Sequence, residues 1–315
     1  MGKVQNKIIG IIGAGRVGLT LAVAVSRFKD PAVSIGAICS PAAESRERAR
    51  KLLGEKSRNI DFYKDNTGCI KKCNILFICT PDDSIEEACS QLVKTAGKKL
   101  TGKVLIHFSG AKTLSVLESA RKAVGAVASI HPIKSFASFE DSIKSLSGTV
   151  WGVTIPEGFP QHEAEFISYF IKKLRGKIIK VEDSKKSLYH SAACVSSNYL
   201  VSLINYAVKI HENIGINPED SLAGLMGLIE GTVRNIKKLG TRKSLTGPIA
   251  RGDTGTVEQH LRDFRKYIKE KDHNVYKVMG LETAELAFQN GWIDKKTRNR
   301  FKELFSDFLK SSKKV

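Results

Sequence analysis

Ile8–Ile12 is a short apolar run that passes directly into Gly13-Ala14-Gly15-Arg16-Val17-Gly18 and then into the helix-period stretch Leu19–Arg27. No other feature constrains the chain as strongly. Strand, glycine turn and helix, in that order, is the context that gives G-x-G-x-x-G its meaning. The first glycine permits a tight turn, the second lets the backbone approach a pyrophosphate, and the third lets helix and strand pack closely. The helix N-terminus adds free N–H groups and a partial positive charge. Gly13, Ala14, Gly15, Arg16, Val17 and Gly18 are therefore expected to cradle the phosphates of a dinucleotide.

Further strand-like runs follow at Ser34–Cys39, Ile75–Cys79, Val104–Phe108, Ala126–Ile130, Val150–Ile155 and Ile178–Val181. Helical stretches alternate with most of them, the pattern of a doubly wound, mostly parallel α/β sheet. After Val181 only helix-period stretches remain. One helix is expected from Ser184 to Asn213. The next runs from Asn217-Pro218-Glu219-Asp220, a cap, an N1 proline and two acids, to Gly240. Thr256 and Gln259 fit a capping box, and the last two helices part near Gly291 and restart at Asp294. A Rossmann domain over residues 1–182 and an all-helical domain over 183–315 are expected.

Composition narrows the partners. With 315 residues, 42% hydrophobic and 26% charged, the chain reads as a globular protein rather than a fibrous or disordered one. No apolar run approaches the ~18 residues of a membrane span. The N-terminus lacks a signal peptide's apolar core, so a cytoplasmic location is expected. The six cysteines are scattered and make no disulfide framework. Cys69 and Cys73 lack a second pair at zinc spacing, so no metal is expected. The net charge of +19 favours anionic partners. Its basic residues are spread out and accompany no recognition helix or aromatic-basic motif. A phosphorylated cofactor and a small anionic substrate are expected, with non-specific nucleic-acid binding as a second hypothesis.

The second strand ends at Ser40, where a chain preferring NAD carries Asp or Glu for the ribose 2′-OH. Here a hydroxyl is followed by Arg46, Arg48 and Arg50, which suits a 2′-phosphate. NADP is expected over NAD, with Ser40 and Arg46 beside that phosphate. Two other readings stay open: the arginines line a solvated helix face, or Glu44 supplies the acid from a longer loop. Later strand ends carry Thr80-Pro81-Asp82, Ser109-Gly110-Ala111 and His131-Pro132-Ile133-Lys134. Turn chemistry alone accounts for each. Together on one carboxyl edge, they mark Thr80, Ser109 and His131 as the nicotinamide end of a cleft.

In the helix expected at 184–213, His190, Cys194 and Asn198 fall at i, i+4 and i+8 and share a stripe. Leu188, Ala192, Val195 and Tyr199 make a separate, apolar one. A catalytic wall and a set of hydrogen-bonded interior or solvent-facing residues fit that spacing equally. Leu245–Thr256 holds three glycines, three threonines and a proline between two helices. Simple helix–helix links are shorter, so Arg251 and Thr254 become anion-binding candidates, a plain connection being the alternative.

These segments carry a resemblance. With the glycine motif, His131-Pro132-Ile133-Lys134-Ser135-Phe136, the His190–Asn198 stretch and Leu245-Thr246-Gly247-Pro248 through Asp253-Thr254 resemble a Rossmann-like NADP oxidoreductase family with a helical C-terminal domain. That family is similar to pyrroline-5-carboxylate reductase, ketopantoate reductase and the beta-hydroxyacid dehydrogenases, and some members are held to be an alternative type of ketopantoate reductase. The resemblance implies an all-α second domain of the 6-phosphogluconate-dehydrogenase-like type, a homodimer, and NADPH-dependent reduction of a small 2-oxo acid. Relatives place a lysine and two asparagines on the first helix after the sheet; the matching positions here are His190, Cys194 and Asn198. The loop at Gly247–Thr256 loosely echoes the Ser-Pro-Gly-Gly-Thr-Thr loop of pyrroline-5-carboxylate reductases.

The implied roles follow. His190, with His131 as second choice, protonates the substrate oxygen, and Asn198 orients the carbonyl. Lys134 or Arg251 holds the carboxylate, with Ser109 and Thr254 beside it. An imine reductase and a non-catalytic NADP-binding sensor are the alternatives, and a deazaflavin in place of NADP stays open.

Overall fold

Runs rich in isoleucine and valine, separated by glycine and polar turns, bury their side chains on both faces only inside a sheet. The structure is a computed structural model and describes residues 6–124 and 126–310. Its strands are β1 (Lys7–Ile12), β2 (Val33–Cys39), β3 (Asp61–Tyr63), β4 (Ile75–Ile78), β5 (Val104–His107), β6 (Ala126–Pro132), β7 (Val150–Thr154) and β8 (Lys177–Lys180). They form one sheet in the order β3-β2-β1-β4-β5-β6-β7-β8. Neighbours pair in parallel except β6 and β7, which are antiparallel. The strand order reverses between β1 and β4, where ligands bind in sheets of this kind.

Helices α1 (Arg16–Ser26), α2 (Ala43–Leu53), α3 (Gly68–Lys72), α4 (Ile85–Ala96), α5 (Glu118–Val124), α6 (Phe139–Lys144) and α7 (Gln161–Lys173) connect the strands. Alternation along each strand produces two apolar clusters. Ile9, Ile11, Phe77, Ile106 and Trp151 belong to one, and Ile12, Leu76, Ile78, Leu105 and Val127 to the other. Cys39, Cys69, Cys73, Cys79 and Cys89 are buried thiols, and no group among the described residues is arranged to hold a metal ion. At the sheet's outer edge all four residues of β8 are exposed.

The single helix expected over 184–213 is instead α8 (Lys186–Cys194), a π-helical turn at Val195–Tyr199, and α9 (Leu200–Glu212). The chain divides into two compact units between Asn198 and Tyr199. The sheet ends at Lys180 and the change was expected at 182, but α8 stays with the first unit, where Lys186 is buried against β6 and the turn after β5. In the second unit α9 runs beside α10 (Pro218–Lys243), whose cap Asn217 accepts the Glu219 N–H at 2.8 Å. Helices α11 (Thr254–Tyr267), α12 (His273–Gln289) and α13 (Lys295–Lys310) surround a core containing Leu261, Phe264, Ala284 and Phe301. No helix of the described residues is long and apolar enough to cross a membrane.

One ion pair fastens the start of the sheet. Lys7 Nζ lies 2.6 Å from Glu163 Oε1 on α7, and both side chains are about 5% exposed. Removing one partner strands a buried charge, whereas replacing both leaves an apolar contact. Glu163→Leu is expected to cost about 3 kcal/mol in urea denaturation, and Lys7→Met with Glu163→Leu to recover most of that loss. Equal losses in the single and double variants would contradict this account.

Candidate active site

Gly13 adopts φ 99°, and a Cβ there would meet the Cys79 backbone at 2.8 Å. A Cβ at Gly18 would lie 2.2 Å from the Gly13 carbonyl oxygen. These two glycines make the turn and the close packing. Gly15 differs, since nothing lies within 4 Å of its would-be Cβ. It precedes α1 with no side-chain capping bond, so free N–H groups face open space, as a pyrophosphate requires. Ala14 is buried beside it, Val17 packs on the core, and Arg16 donates to the Ala137 carbonyl at 3.0 Å.

The cradle opens into a groove of about 370 Å³ lined by Gly13, Gly15, Ser40, Ser45, Asn66 and Thr80, among others. Thr80 Oγ1 is buried without a hydrogen-bond partner, a deficit that a ligand oxygen would meet. At the far end, Arg46 Nη1 donates to the carbonyls of Ser40 at 2.6 Å and Pro41 at 3.0 Å, which holds a guanidinium at the end of β2. Arg48 and Arg50 lie over the rings of Phe139 and Phe62. Glu44 is exposed in the first turn of α2, and no acid ends β2. These residues fit the phosphate end of a dinucleotide.

The turns after β4 and β5 are tied together by Ser109. Its hydroxyl donates to Asp82 Oδ2 at 2.7 Å and accepts from the N–H groups of Ala111 and Lys112. Ser109 therefore builds the edge and has little capacity left for a substrate. His131 lies within β6, opposite Gly152 of β7, instead of in the turn that was expected. The His131 and His190 rings meet edge-on with centroids 5.7 Å apart. Gly110 makes room for them: a Cβ there would lie 2.5 Å from His190 Nδ1 and 2.9 Å from His131 Nε2. His190 Nδ1 is buried without a partner.

Sequence reasoning missed Lys186. It opens α8, is 1% exposed, and donates through Nζ to Ser129 Oγ at 2.7 Å and the Ser109 carbonyl at 3.1 Å. Burial lowers its pKa to about 8, against the pull of Asp183 and Asp82. Burial likewise brings His131 to about 4, helped by His190 and Lys186, and His107 to about 3, helped by Lys186 and His131. At neutral pH the cluster thus holds a mostly charged lysine among uncharged His107 and His131. The lysine stands one turn before His190, the position to which the family lysine was carried. Lys186, His190 and Cys194 therefore share the stripe, whereas the wider π turn takes Asn198, which is exposed, out of α-helical register. The apolar stripe is exposed at Leu188, Val195 and Tyr199.

The remaining candidates are dispersed. Lys134 Nζ is bonded to Ser145 Oγ at 2.5 Å. Arg251 and Thr254 belong to the second unit, Arg251 exposed at the end of a 3₁₀ turn and Thr254 at the start of α11. The cap of α11 is Asp253, which accepts the Thr256 N–H at 3.0 Å, in place of the expected Thr256–Gln259 box.

Comparison with known families matches residues 3–132 to the Rossmann-like domain and residues 153–283 to a domain of unknown function, DUF2520. No curated protein matches this chain. Protein TM1727 from Thermotoga maritima is similar in fold, at 23% identity over 88% of this chain and 98% of its own, with a TM-score of 0.66. Protein BF3122 from Bacteroides fragilis, assigned as an NADP oxidoreductase, is 17% identical over 90% and 100%, with a TM-score of 0.68. Pyrroline carboxylate reductase from Plasmodium falciparum, solved with NADP bound, is 14% identical over 95% and 99%, with a TM-score of 0.56.

The glycine geometry separates folding from binding. Gly18→Ala is expected to destabilise by about 1–3 kcal/mol through overpacking. Gly15→Ala should melt like the natural protein yet lose at least about tenfold in dinucleotide affinity, since its methyl group occupies the approach of the phosphates. Thermal melts and a nucleotide fluorescence titration check both.

Proposed function

We propose that this chain is an NADPH-dependent reductase of a small 2-oxo acid resembling ketopantoate. The observation that carries the reading is a single sheet edge bearing both the open glycine cradle and the buried Lys186 with His131 and His190. Gly13–Gly18 and Thr80 hold the dinucleotide. Ser40 and Arg46 take its 2′-phosphate, which is the ground for preferring NADP to NAD. When bound, the dinucleotide supplies the hydride that reduces the carbonyl carbon.

The chain's own part is charge and proton management. A lysine brought to about 8 is protonated at pH 7 and well matched to donating a proton to a forming alkoxide, whereas His131 near 4 serves as a neutral hydrogen-bond donor. His190, whose ring meets that of His131, is the second donor. Asn198 as carbonyl orienter and Lys134 as a carboxylate contact belong to the same proposal on the strength of their residue types. The Plasmodium relative favours an imine substrate instead. A cation stabilises a developing oxyanion and opposes an iminium, so Lys186 supports the carbonyl.

A homodimer in the cytoplasm completes the proposal. α9 buries none of its side chains and α10 only Ser221, leaving Val201 and Leu228 close to 70% exposed. A second copy would cover that apolar surface. Sedimentation should give the dimer mass, and Val201→Asp with Leu228→Asp the monomer mass.

The direct test is titration with NADPH and NADH, followed by a panel of 2-oxo acids. Tighter NADPH binding and turnover of one acid are expected. Turnover should fall as pH rises through about 8, because Lys186 loses its proton there. Lys186→Met should remove that limb and lower kcat by about 10²–10⁴-fold while NADPH still binds. A rate independent of pH from 6 to 10 would reject this role for Lys186.

A further inference from the structure

His131 on β6 faces Gly152 on β7 across the antiparallel pair, and the Tyr189 hydroxyl reaches both. Its oxygen lies 3.0 Å from His131 Nδ1, and the two rings meet edge-to-face with centroids 5.6 Å apart. A Cβ at Gly152 would fall within 2.3 Å of the same oxygen, so a side chain there would expel the hydroxyl. Burial pushes the phenol up to about 12. A phenol has one proton to give. Among the described contacts His131 Nδ1 is the acceptor within reach of that proton, and a half-buried phenol proton without it would go unsatisfied, so the proton goes to Nδ1. A neutral imidazole that accepts at Nδ1 carries its hydrogen on Nε2. Nε2 is the atom that faces Gly110, where His190 Nδ1 also points.

We propose that Tyr189 is a positioning residue that fixes His131 as its Nε2–H tautomer, so that an uncharged imidazole presents a donor to the substrate oxygen at the Gly110 turn. The substrate contact rests on the reading of this edge as a reductase site; the tautomer does not. Gly152 is the second half of the device, because it admits the hydroxyl that sets the tautomer.

Long-range ¹⁵N–¹H spectra of histidine-labelled protein at pH 7.5, without ligand, test the assignment, with His131→Gln identifying the resonances. The protonated nitrogen of His131 is expected to be Nε2. Tyr189→Phe should average the two nitrogen shifts and lower kcat about tenfold, with the KM for NADPH unchanged. Gly152→Ala should reproduce the spectral change through a different atom. An Nδ1–H tautomer in the natural protein, or an unchanged spectrum in Tyr189→Phe, would overturn the proposal. The expected spectra without turnover of any 2-oxo acid would uphold Tyr189 as the tautomer's determinant and count against the reductase reading alone.

Discussion

The Lys186 ammonium joins three elements that the chain brings together from distant positions. It hydrogen-bonds the Ser109 carbonyl after β5 and the Ser129 hydroxyl within β6, and so anchors the start of α8 to the sheet edge. An ammonium taken out of water costs several kcal/mol, offset here by a carbonyl, a hydroxyl and the charges of Asp183 and Asp82. Its place in the first turn of a helix adds the unfavourable positive end of the dipole. Burial loosens its proton against the pull of the two acids, and its charge in turn helps to keep His107 and His131 neutral. Burial sets the electrostatics of the edge, and this one charge reinforces them.

Most of the sheet was legible because burial on both faces leaves a plain trace in the sequence. Ile75–Ile78 and Val104–His107 are continuous apolar runs between polar turns, and the glycine motif located the strand-order reversal. The strand Asp61–Tyr63 escaped notice because it is short and only half-buried. The π turn at Val195–Tyr199 was invisible for a different reason. Its residues keep an amphipathic pattern on either side, and an extra residue in one turn changes register without changing composition.

The glycine turn was readable to the residue, since backbone geometry dictates where glycines stand. The cluster around Lys186 was less legible. Proline is common in turns, so a strand that continues through His131 and Pro132 to pair with β7 leaves little trace in the sequence. Lys186 hides in the run Lys185-Lys186-Ser187, which resembles solvated surface. One signal was available: two lysines at a helix start oppose the dipole, and a local conflict of that kind often marks a functional position. Tyr189 offered no such signal, because its role depends on a glycine 37 positions away in the chain.

The exposed outer strand has a consequence for how the protein behaves in a crowd. Lys177-Ile178-Ile179-Lys180 ends the sheet, with two adjacent isoleucines on a row of backbone groups that another strand is able to join. Two copies approaching edge to edge meet lysine against lysine whether the strands align in parallel or antiparallel register. Placed there, like charges act where the backbone is most adhesive. Part of the net charge of +19 thus works as protection against aggregation, independent of any ligand the basic residues attract.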